Sequence, residues 1–242
     1  MHLSVVIPCY NEESRITSSS ALLKVERFLL GKEYEAEIVA VDDGSEDGTL
    51  RLLEDFRGKT KVPFRIVSYH PNKGKAHAVR EGVLCAGGDF ILFTDVDLSA
   101  PIEEVDGFLP ILERGEADVV IGSRNLAQSR VTRPMGREVL SRGFNLLVRA
   151  LILPGIRDSQ CGFKCFRRSA AHAIFAKEPT SGLAFDVEIL HSARRLGYRI
   201  VEKPVEWEYS RGSKMHPMRD SARMFAALVR LRVRSLLDKG DN

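Results

Sequence analysis

The chain has 242 residues, of which 44% are hydrophobic and 29% are charged, and its formal net charge at pH 7 is +3. This composition excludes a disordered or collagen-like chain and is typical of a globular protein with a substantial core. The length suits one large domain or one domain with a small appendage, and the small net charge gives no argument for a nucleic-acid partner, so none is expected. No run reaches the roughly 18 consecutive apolar residues of a membrane-spanning helix.

Short apolar runs rich in β-branched residues alternate with helical patterns through the first half of the chain. Strands are predicted, in chain order, in HLSVVIPC, AEIVAVD, PFRIVSYH, DFILFTD and ADVVIGSR. The first helix is predicted from about Ser18 to Leu30, with an apolar face of Leu22, Leu23, Val25, Phe28 and Leu29. Later helices are predicted from about Thr49 and in GKAHAVREGVLCAG, with a core stripe of Ala76, Val79, Val83 and Leu84.

Nearly apolar strands that alternate with helices indicate an α/β domain with a mainly parallel central sheet flanked by helices. In such sheets, ligands bind outside the carboxyl ends of the strands. Polar clusters follow the predicted strands at Asn11-Glu12, Asp42-Asp43, Asp95–Asp97 and Gly122–Arg124. We therefore expect one site at this edge of the sheet.

The second half of the chain is richer in arginine and leucine. A basic loop and an amphipathic helix are predicted in 130–156, then a helix, a glycine turn and a strand in 183–209, and a final helix in 218–240. The apolar stretches 145–156 and 224–237 contain arginine, so each helix either packs on the sheet or lies on a membrane surface. For the last helix, contact with a membrane or with a second copy is favoured.

The segment FTDVDLSAP places two carboxylates, Asp95 and Asp97, directly after an apolar run. Two such carboxylates can bind Mg²⁺ together with the phosphates of a substrate. The alternative is a solvated turn whose aspartate caps the next helix. Because Asp42, Asp43 and Glu12 end neighbouring strands, the excess of negative charge requires a bound cation or hydrogen-bond donors from a base and a ribose.

The remaining polar residues fit a nucleotide and a phosphate. Asp43 and Glu12 can accept hydrogen bonds from a ribose or a base. Arginine and lysine match phosphate oxygens, and they occur after the sheet at Arg124, Arg133, Arg137, Arg142, Arg211 and Lys214. Neither a G-x-G-x-x-G nor a Walker lysine motif occurs, so a dinucleotide-binding or ATP-hydrolysing protein has no support.

The four cysteines, Cys9, Cys85, Cys161 and Cys165, form no C-x-x-C pair and no zinc-type spacing. We expect buried free thiols in a reducing compartment.

Several segments, in order, resemble the GT-A glycosyltransferases of family 2, specifically the polyprenyl-phosphate sugar transferases. They are VVIPCYNEE, VAVDDGSEDGT, NKGKAHAVREG, DFILFTDVDLS, IGSR, RDSQCGFKCFRR and RGSK, and they span Ser4 to Lys214. RDSQCGFK, AFDVEIL and DVDLS resemble most the dolichyl-phosphate glucosyltransferase branch. The related mannosyltransferases usually have a glutamine where Ser99 stands here. We expect the chain to lack the N-terminal membrane anchor of the eukaryotic glucosyltransferases.

This resemblance implies a GT-A (nucleotide-diphospho-sugar transferase) fold and a set of site residues. Residues 1–214 would form the catalytic domain, with a nucleotide-sugar half at 1–124 and an acceptor half at 125–214, and 215–242 an amphipathic basic helix. The nucleotide sugar would be bound by Pro8, Tyr10, Glu12, Val41, Asp43, Lys75, Asp95, Val96 and Asp97. Mg²⁺ or Mn²⁺ would be bound by Asp95, Asp97 and Ser99, and phosphate or acceptor by Arg124, Arg133, Arg137, Arg211 and Lys214. Asp97, Asp186 and Arg137 are the candidate catalytic residues.

The implied reaction is an inverting, metal-dependent transfer of a hexose to a polyprenyl or dolichyl phosphate, at the cytoplasmic face of a membrane. UDP-glucose is the expected donor, with GDP-mannose as the second candidate. The chain would contact the membrane surface, and it could form a homodimer. Three further functions stay open at this point, namely a family 2 transferase with a non-lipid acceptor, a nucleotidyltransferase and a non-catalytic lipid-surface module.

Overall fold

The computed structural model describes residues 1–132, 143, 145–177, 184–209 and 228–231. The strands are β1 His2–Cys9, β2 Glu35–Asp42, β3 Phe64–Ser68, β4 Phe90–Thr94, β5 Val119–Ser123, β6 Arg130–Thr132, β7 Phe163–Arg167, β8 Ile200–Pro204 and β9 Glu206–Glu208. The helices are α1 Glu13–Ser19, α2 Ala21–Leu30, α3 Thr49–Arg57, α4 Lys75–Cys85, α5 Leu109–Glu113, α6 at 145–151, α7 Arg168–Phe175 and α8 Phe185–Arg195, with a 3-10 helix at Ile102–Gly107.

The main sheet has seven strands in the order β3-β2-β1-β4-β7-β5-β8. Strand β7 runs antiparallel to both of its neighbours, β4 and β5, while the other pairs are parallel. The predicted α/β architecture with a mainly parallel sheet is therefore confirmed. A separate two-stranded ribbon, β6-β9, is joined to the loop after β4 by a hydrogen bond from the Glu208 amide to the Ser99 carbonyl (2.8 Å).

Two hydrophobic clusters cover the two faces of the sheet. One contains α4, α6, α7 and α8 together with Leu228, and the other contains α2, α3, α5 and the 3-10 helix. The strands contribute alternate residues to the two clusters, as Val5 and Val6 of β1 do, because successive side chains of a strand point to opposite faces. Both faces of the sheet are therefore buried, and its edges are left for polar residues.

Two details of the predicted helices are wrong. The predicted first helix is divided at Ser20, whose φ of 51° lies in the left-handed region, into α1 and α2. Leu23 and Leu84, which the apolar pattern predicts to face the core, are 52% and 36% exposed. Each lies beside the buried stripe of its helix rather than on it, because a helical stripe covers only part of the circumference.

The strand β7, the helix α7 and the ribbon were not predicted from the sequence. The final predicted helix lies largely outside the described residues. Its described turn packs Leu228 and Leu231 against the core, while Val229 is 42% exposed. Of the four cysteines, Cys9, Cys161 and Cys165 are buried and Cys85 is half-buried, and all are free, as expected.

Candidate functional site

The D-x-D segment forms a tight turn at the carboxyl end of β4. The Leu98 amide donates to the Asp95 carbonyl (3.0 Å), and the Ser99 amide donates to Oδ1 of Asp97 (3.0 Å). Leu98 has a φ of 46°, in the left-handed region that non-glycine residues rarely adopt. Val96 between the two aspartates is buried in the core. The turn therefore holds both carboxylates at the sheet edge through a buried side chain and backbone contacts.

A lysine is the direct partner of the first aspartate. The ammonium of Lys75, the first residue of α4, forms an ion pair with Oδ1 of Asp95. Desolvation alone would lower the pKa of Lys75, but the negative charges of Asp95, Asp186 and Asp97 outweigh it and raise that pKa. The lysine thus supplies positive charge where these carboxylates converge.

This arrangement fits a hard divalent cation. Asp95 is 38% exposed at its side chain and Asp97 is partly exposed, so both can bind an ion that enters from solvent. In the described residues no group of three or more histidine, cysteine, aspartate or glutamate side chains is placed to bind a metal. Two carboxylates suffice for Mg²⁺ when substrate phosphates complete the shell.

Asp43 serves a structural purpose that was not predicted. Its carboxylate is buried, and it accepts hydrogen bonds from Nδ2 of Asn72 (2.7 Å) and from the amides of Lys73 and Gly74 (2.9 Å each). Gly74 has a φ of 93° and immediately precedes Lys75. Asp43 therefore fixes the turn from which Lys75 reaches the D-x-D segment.

The other acidic side chains at the strand ends also have partners within the protein. Asp42 is buried and accepts hydrogen bonds from the Ser45 amide (3.3 Å) and the Ser68 hydroxyl (3.0 Å). Both oxygens of Glu12 lie 2.9 Å from a guanidinium nitrogen of Arg15. The expectation that these carboxylates need a bound cation, or donors from a base and a ribose, is wrong, because Ser45, Ser68 and Arg15 already provide donors. The argument for an added cation is left with Asp95 and Asp97, which share the positive charge of Lys75.

Gly162 lies directly against the side chain of Asp95. A β-carbon at position 162 would overlap Oδ2 of Asp95 and would lie 2.9 Å from its Cγ. Only glycine leaves room for the carboxylate where it stands.

Asp186 belongs to the same group of charges, through a lysine that the sequence did not single out. It lies in the first turn of α8, and its Oδ1 accepts a hydrogen bond from Nζ of Lys164 on β7 (2.5 Å). Lys164 also donates to the Cys161 carbonyl (2.6 Å) and is fully buried. The predicted catalytic residue Asp186 is thus brought to the D-x-D edge. Glu188, two residues further along the helix, is half-buried.

Arg124 has an internal partner. Its Nε and Nη2 donate to the two oxygens of Asp158 (2.6 and 2.9 Å), and its guanidinium lies 5.3 Å from the Trp207 ring. Burial alone would raise the pKa of Asp158, but Arg124 holds it below its ordinary value. Only 12% of the Arg124 side chain is exposed, so a predicted role in phosphate binding would use the donors that Asp158 does not occupy.

Four of the remaining predicted residues, Pro8, Tyr10, Val41 and Ser99, lie within the described part of the chain. Pro8 and Val41 pair across the ends of β1 and β2, and Tyr10 is 37% exposed just beyond them.

Ser99 lines a groove of about 500 Å³ with Leu98, Pro101 and Trp207, and Asp95 and Asp97 are absent from its lining. The lining of this groove combines the acidic Glu103, Glu206 and Glu208 with the basic Lys24 and Arg130. Arg133, Arg137, Arg142, Arg211 and Lys214 lie outside the described residues.

Gly162, Lys164 and Asp158 are the site residues that sequence reasoning missed. All three lie in RDSQCGFK, whose resemblance to the transferases was the only signal for them.

None of the helices in the described part of the chain is long and apolar enough to span a membrane.

Comparisons with known proteins identify the chain's family. Residues 4–175 match the glycosyl transferase family 2 domain. The dolichyl-phosphate β-glucosyltransferase of Dictyostelium discoideum is 36% identical over an alignment of 249 residues, gaps included, that covers 98% of this chain and 76% of that protein. The Saccharomyces cerevisiae protein of the same name is 38% identical over 256 residues, 97% of this chain and 75% of that protein.

Among solved structures, the chain is similar to glucosyl-3-phosphoglycerate synthase from Mycobacterium tuberculosis in complex with Mn²⁺, UDP and glucosyl-3-phosphoglycerate. The TM-score is 0.70 and the identity 20%, over 96% of this chain and 79% of that one. This likeness confirms the GT-A fold. The match over residues 4–175, together with the relatives that are 36% and 38% identical, shows that the chain belongs to glycosyl transferase family 2.

Proposed function

We propose that this enzyme transfers glucose from UDP-glucose to a polyprenyl or dolichyl phosphate, with inversion at the anomeric carbon. The observation that carries the proposal is the similarity to dolichyl-phosphate β-glucosyltransferases over 97–98% of the chain. The grouping of Lys75, Asp95 and Asp97 supports it, because two carboxylates that can hold a divalent cation, with a lysine beside them, suit the diphosphate of a nucleotide sugar.

In the proposed reaction, an oxygen of the acceptor phosphate attacks the anomeric carbon and UDP leaves. A phosphate monoester is already anionic near neutral pH, so the protein needs no strong general base. Its main contributions are positioning of two anionic substrates and stabilisation of the charge that develops on the leaving group. When bound by Asp95 and Asp97, Mg²⁺ or Mn²⁺ supplies Lewis-acid stabilisation of the departing diphosphate.

The chain's own charged residues have separate tasks in this proposal. Lys75 lies beside Asp95, where its ammonium can bind a phosphate oxygen of the donor. Asp186 lies on the neighbouring helix and can orient a hydroxyl of the sugar. Arg133, Arg137, Arg211 and Lys214 are proposed to bind the acceptor phosphate on the grounds of the resemblance alone.

A membrane-bound acceptor is consistent with the exposed side of α6. Leu146 and Leu147 are 64% and 42% exposed, and Arg149 beside them is exposed. Such a surface can lie in the headgroup region of a bilayer with its arginine at lipid phosphates. The free cysteines fit a reducing compartment, so we propose the cytoplasmic face.

The test is transfer of labelled sugar to a short polyprenyl phosphate, from UDP-glucose and separately from GDP-mannose, with Mg²⁺, with Mn²⁺ and with a chelator. We expect lipid-linked label from UDP-glucose that the chelator removes. Label from GDP-mannose alone would contradict the donor. Binding of UDP-glucose without any lipid-linked product would contradict the lipid acceptor and favour a transferase with a non-lipid acceptor.

A further inference from the structure

Lys164 is a fully buried charged side chain in the middle of the main sheet. None of its side chain is exposed, and its Nζ lies 5.2 Å from the centre of the Phe93 ring. Burying an ammonium ion is costly unless it is paired and hydrogen-bonded. Lys164 meets that condition through two acceptors, Oδ1 of Asp186 and the Cys161 carbonyl. An apolar side chain would fill this position in the core without the cost of desolvating a charge. The presence of a lysine here therefore requires an explanation.

Only one of the two carboxylate oxygens of Asp186 takes part in this contact. Asp186 is the second residue of α8, and 10% of its side chain is exposed. Within the described part of the chain, its second oxygen, Oδ2, accepts no hydrogen bond. The first turn of a helix also favours a negative charge. One oxygen is therefore fixed from the protein side, and the other is left for a ligand.

The strand that carries Lys164 also contacts the first aspartate of the D-x-D segment. Lys164 on β7 pairs with Phe93 on β4. Phe93 precedes Asp95 by two residues, so Lys164 lies close to the start of the D-x-D segment. Two residues earlier on the chain, Gly162 packs directly against the Asp95 carboxylate. The start of β7 thus sets the position of Asp95 and of Asp186 relative to one another.

We propose that Lys164 is a positioning residue that holds Oδ1 of Asp186, so that Oδ2 meets a hydroxyl of the transferred sugar or of the acceptor. The inference rests on the proposed function, because it assigns Lys164 to the same transfer reaction. A purely stabilising ion pair would affect the stability of the protein but not the rate of the folded enzyme. If Lys164 positions Asp186, its loss must lower that rate, and it must do so only when Asp186 is present.

The test is a double-mutant cycle of Lys164→Met, Asp186→Asn and the double variant, with labelled glucose transfer from UDP-glucose to a polyprenyl phosphate. We expect Lys164→Met to lower kcat about tenfold or more, with the KM for UDP-glucose within about twofold of wild type. In the Asp186→Asn background, the same substitution should have no further effect on kcat. Rates are expressed per folded molecule, measured by the amplitude of thermal unfolding.

The matched control is Arg167→Met, on the same strand. Arg167 donates to the Leu112 carbonyl (2.9 Å), away from the D-x-D edge, so we expect lower stability and an unchanged kcat. If Lys164→Met does not fold, Lys164→Gln takes its place in the cycle, since glutamine stays polar but its amide nitrogen is one bond too short to hold Oδ1 of Asp186 in the same place, so the same loss of kcat is expected.

Two results would overturn the role of Lys164: a kcat for its variant within twofold of wild type, or losses that multiply in the double variant. Absence of lipid-linked label with the wild-type enzyme would instead contradict the proposed function. The wild-type reaction in the same assay therefore separates the two failures.

Discussion

The backbone of Gly162 lies against the Asp95 carboxylate so closely that a β-carbon there would overlap Oδ2 and stand 2.9 Å from Cγ. Gly162→Ala must therefore move either β7 or the carboxylate. A displacement of about 1 Å at a catalytic group can cost about 100-fold in rate, so we expect a loss of that order with the fold retained. The measurement is kcat for glucose transfer, with circular dichroism as the check on folding.

The matched control for this substitution is Gly58→Ala. Gly58 has a φ of −70°, and a β-carbon there meets only ordinary contacts at 3.7 and 3.8 Å. We expect its rate to equal that of wild type. An active Gly162→Ala enzyme would show that Asp95 tolerates displacement, and the proposed metal site would lose its main geometric support.

Asp97→Asn removes one charge from the D-x-D turn while preserving its shape. The Ser99 amide donates to Oδ1 of Asp97, and an asparagine oxygen can accept the same hydrogen bond. We expect glucose transfer to fall about 100-fold or more, because the site loses half of the carboxylate charge that binds the metal. Asp106→Asn, which removes the exposed partner of Lys32, should leave transfer unchanged. A near wild-type rate for Asp97→Asn would remove the argument for a metal site.

The Arg124–Asp158 pair should govern part of the stability of the protein in acid. Asp158 is fully buried, and replacing it with asparagine leaves the Arg124 charge without its counterion. Breaking a buried pair in this way costs about 3–5 kcal/mol, which urea unfolding at pH 7 would measure. Glu116→Gln, which breaks an exposed pair with Arg114, should have no measurable effect.

The pH dependence of this pair follows from the lowered pKa of Asp158. The unfolded chain binds the proton at about pH 3.9, and the folded protein binds it only at lower pH. The stability from this pair is therefore fully present above about pH 5, and it is lost as the pH falls through the folded pKa. Asp158→Asn should flatten the decline of the unfolding free energy below about pH 4. Parallel curves for wild type and variant would contradict the assignment.

Asp43→Ala should release the turn that precedes Lys75. The amides of Lys73 and Gly74 would lose their shared acceptor, at a cost of about 1–3 kcal/mol in unfolding free energy. Because the turn places Lys75, we also expect a raised KM for UDP-glucose. Asp55→Asn, on the exposed side of α3, is the control for both measurements. A variant with wild-type stability would mean that the turn does not depend on Asp43.

Sequence patterns were sufficient to predict the parallel part of the sheet and its acidic edge. Strands β1, β2, β4 and β5 are short apolar runs, and a polar turn follows each one. Such signals are local, so the chain order alone reveals them. The D-x-D turn was found for the same reason, because Asp95 and Asp97 lie next to the end of β4.

The residues that support those carboxylates could not be found in this way. Lys164 and Arg167 place charges inside β7, and their acceptors, Asp186 and the Leu112 carbonyl, are remote in sequence. A strand with charges at such positions does not look like a buried strand. For Asp43, the donors come from a turn about thirty residues away. Tertiary hydrogen bonds, rather than local propensity, decide these features.

The place of β7 in the sheet has a consequence for how the protein is made. Strand β5 is synthesised before β7, yet it contacts β4 only through β7, which lies between them. As the chain leaves the ribosome, β5 has neither of its neighbours, because β8 is later still. Pairings between such distant segments form slowly, and until then the unpaired edges of β4 and β5 can pair with other chains. Nascent chains that end before Arg167 should therefore be the ones that chaperones bind and proteases degrade.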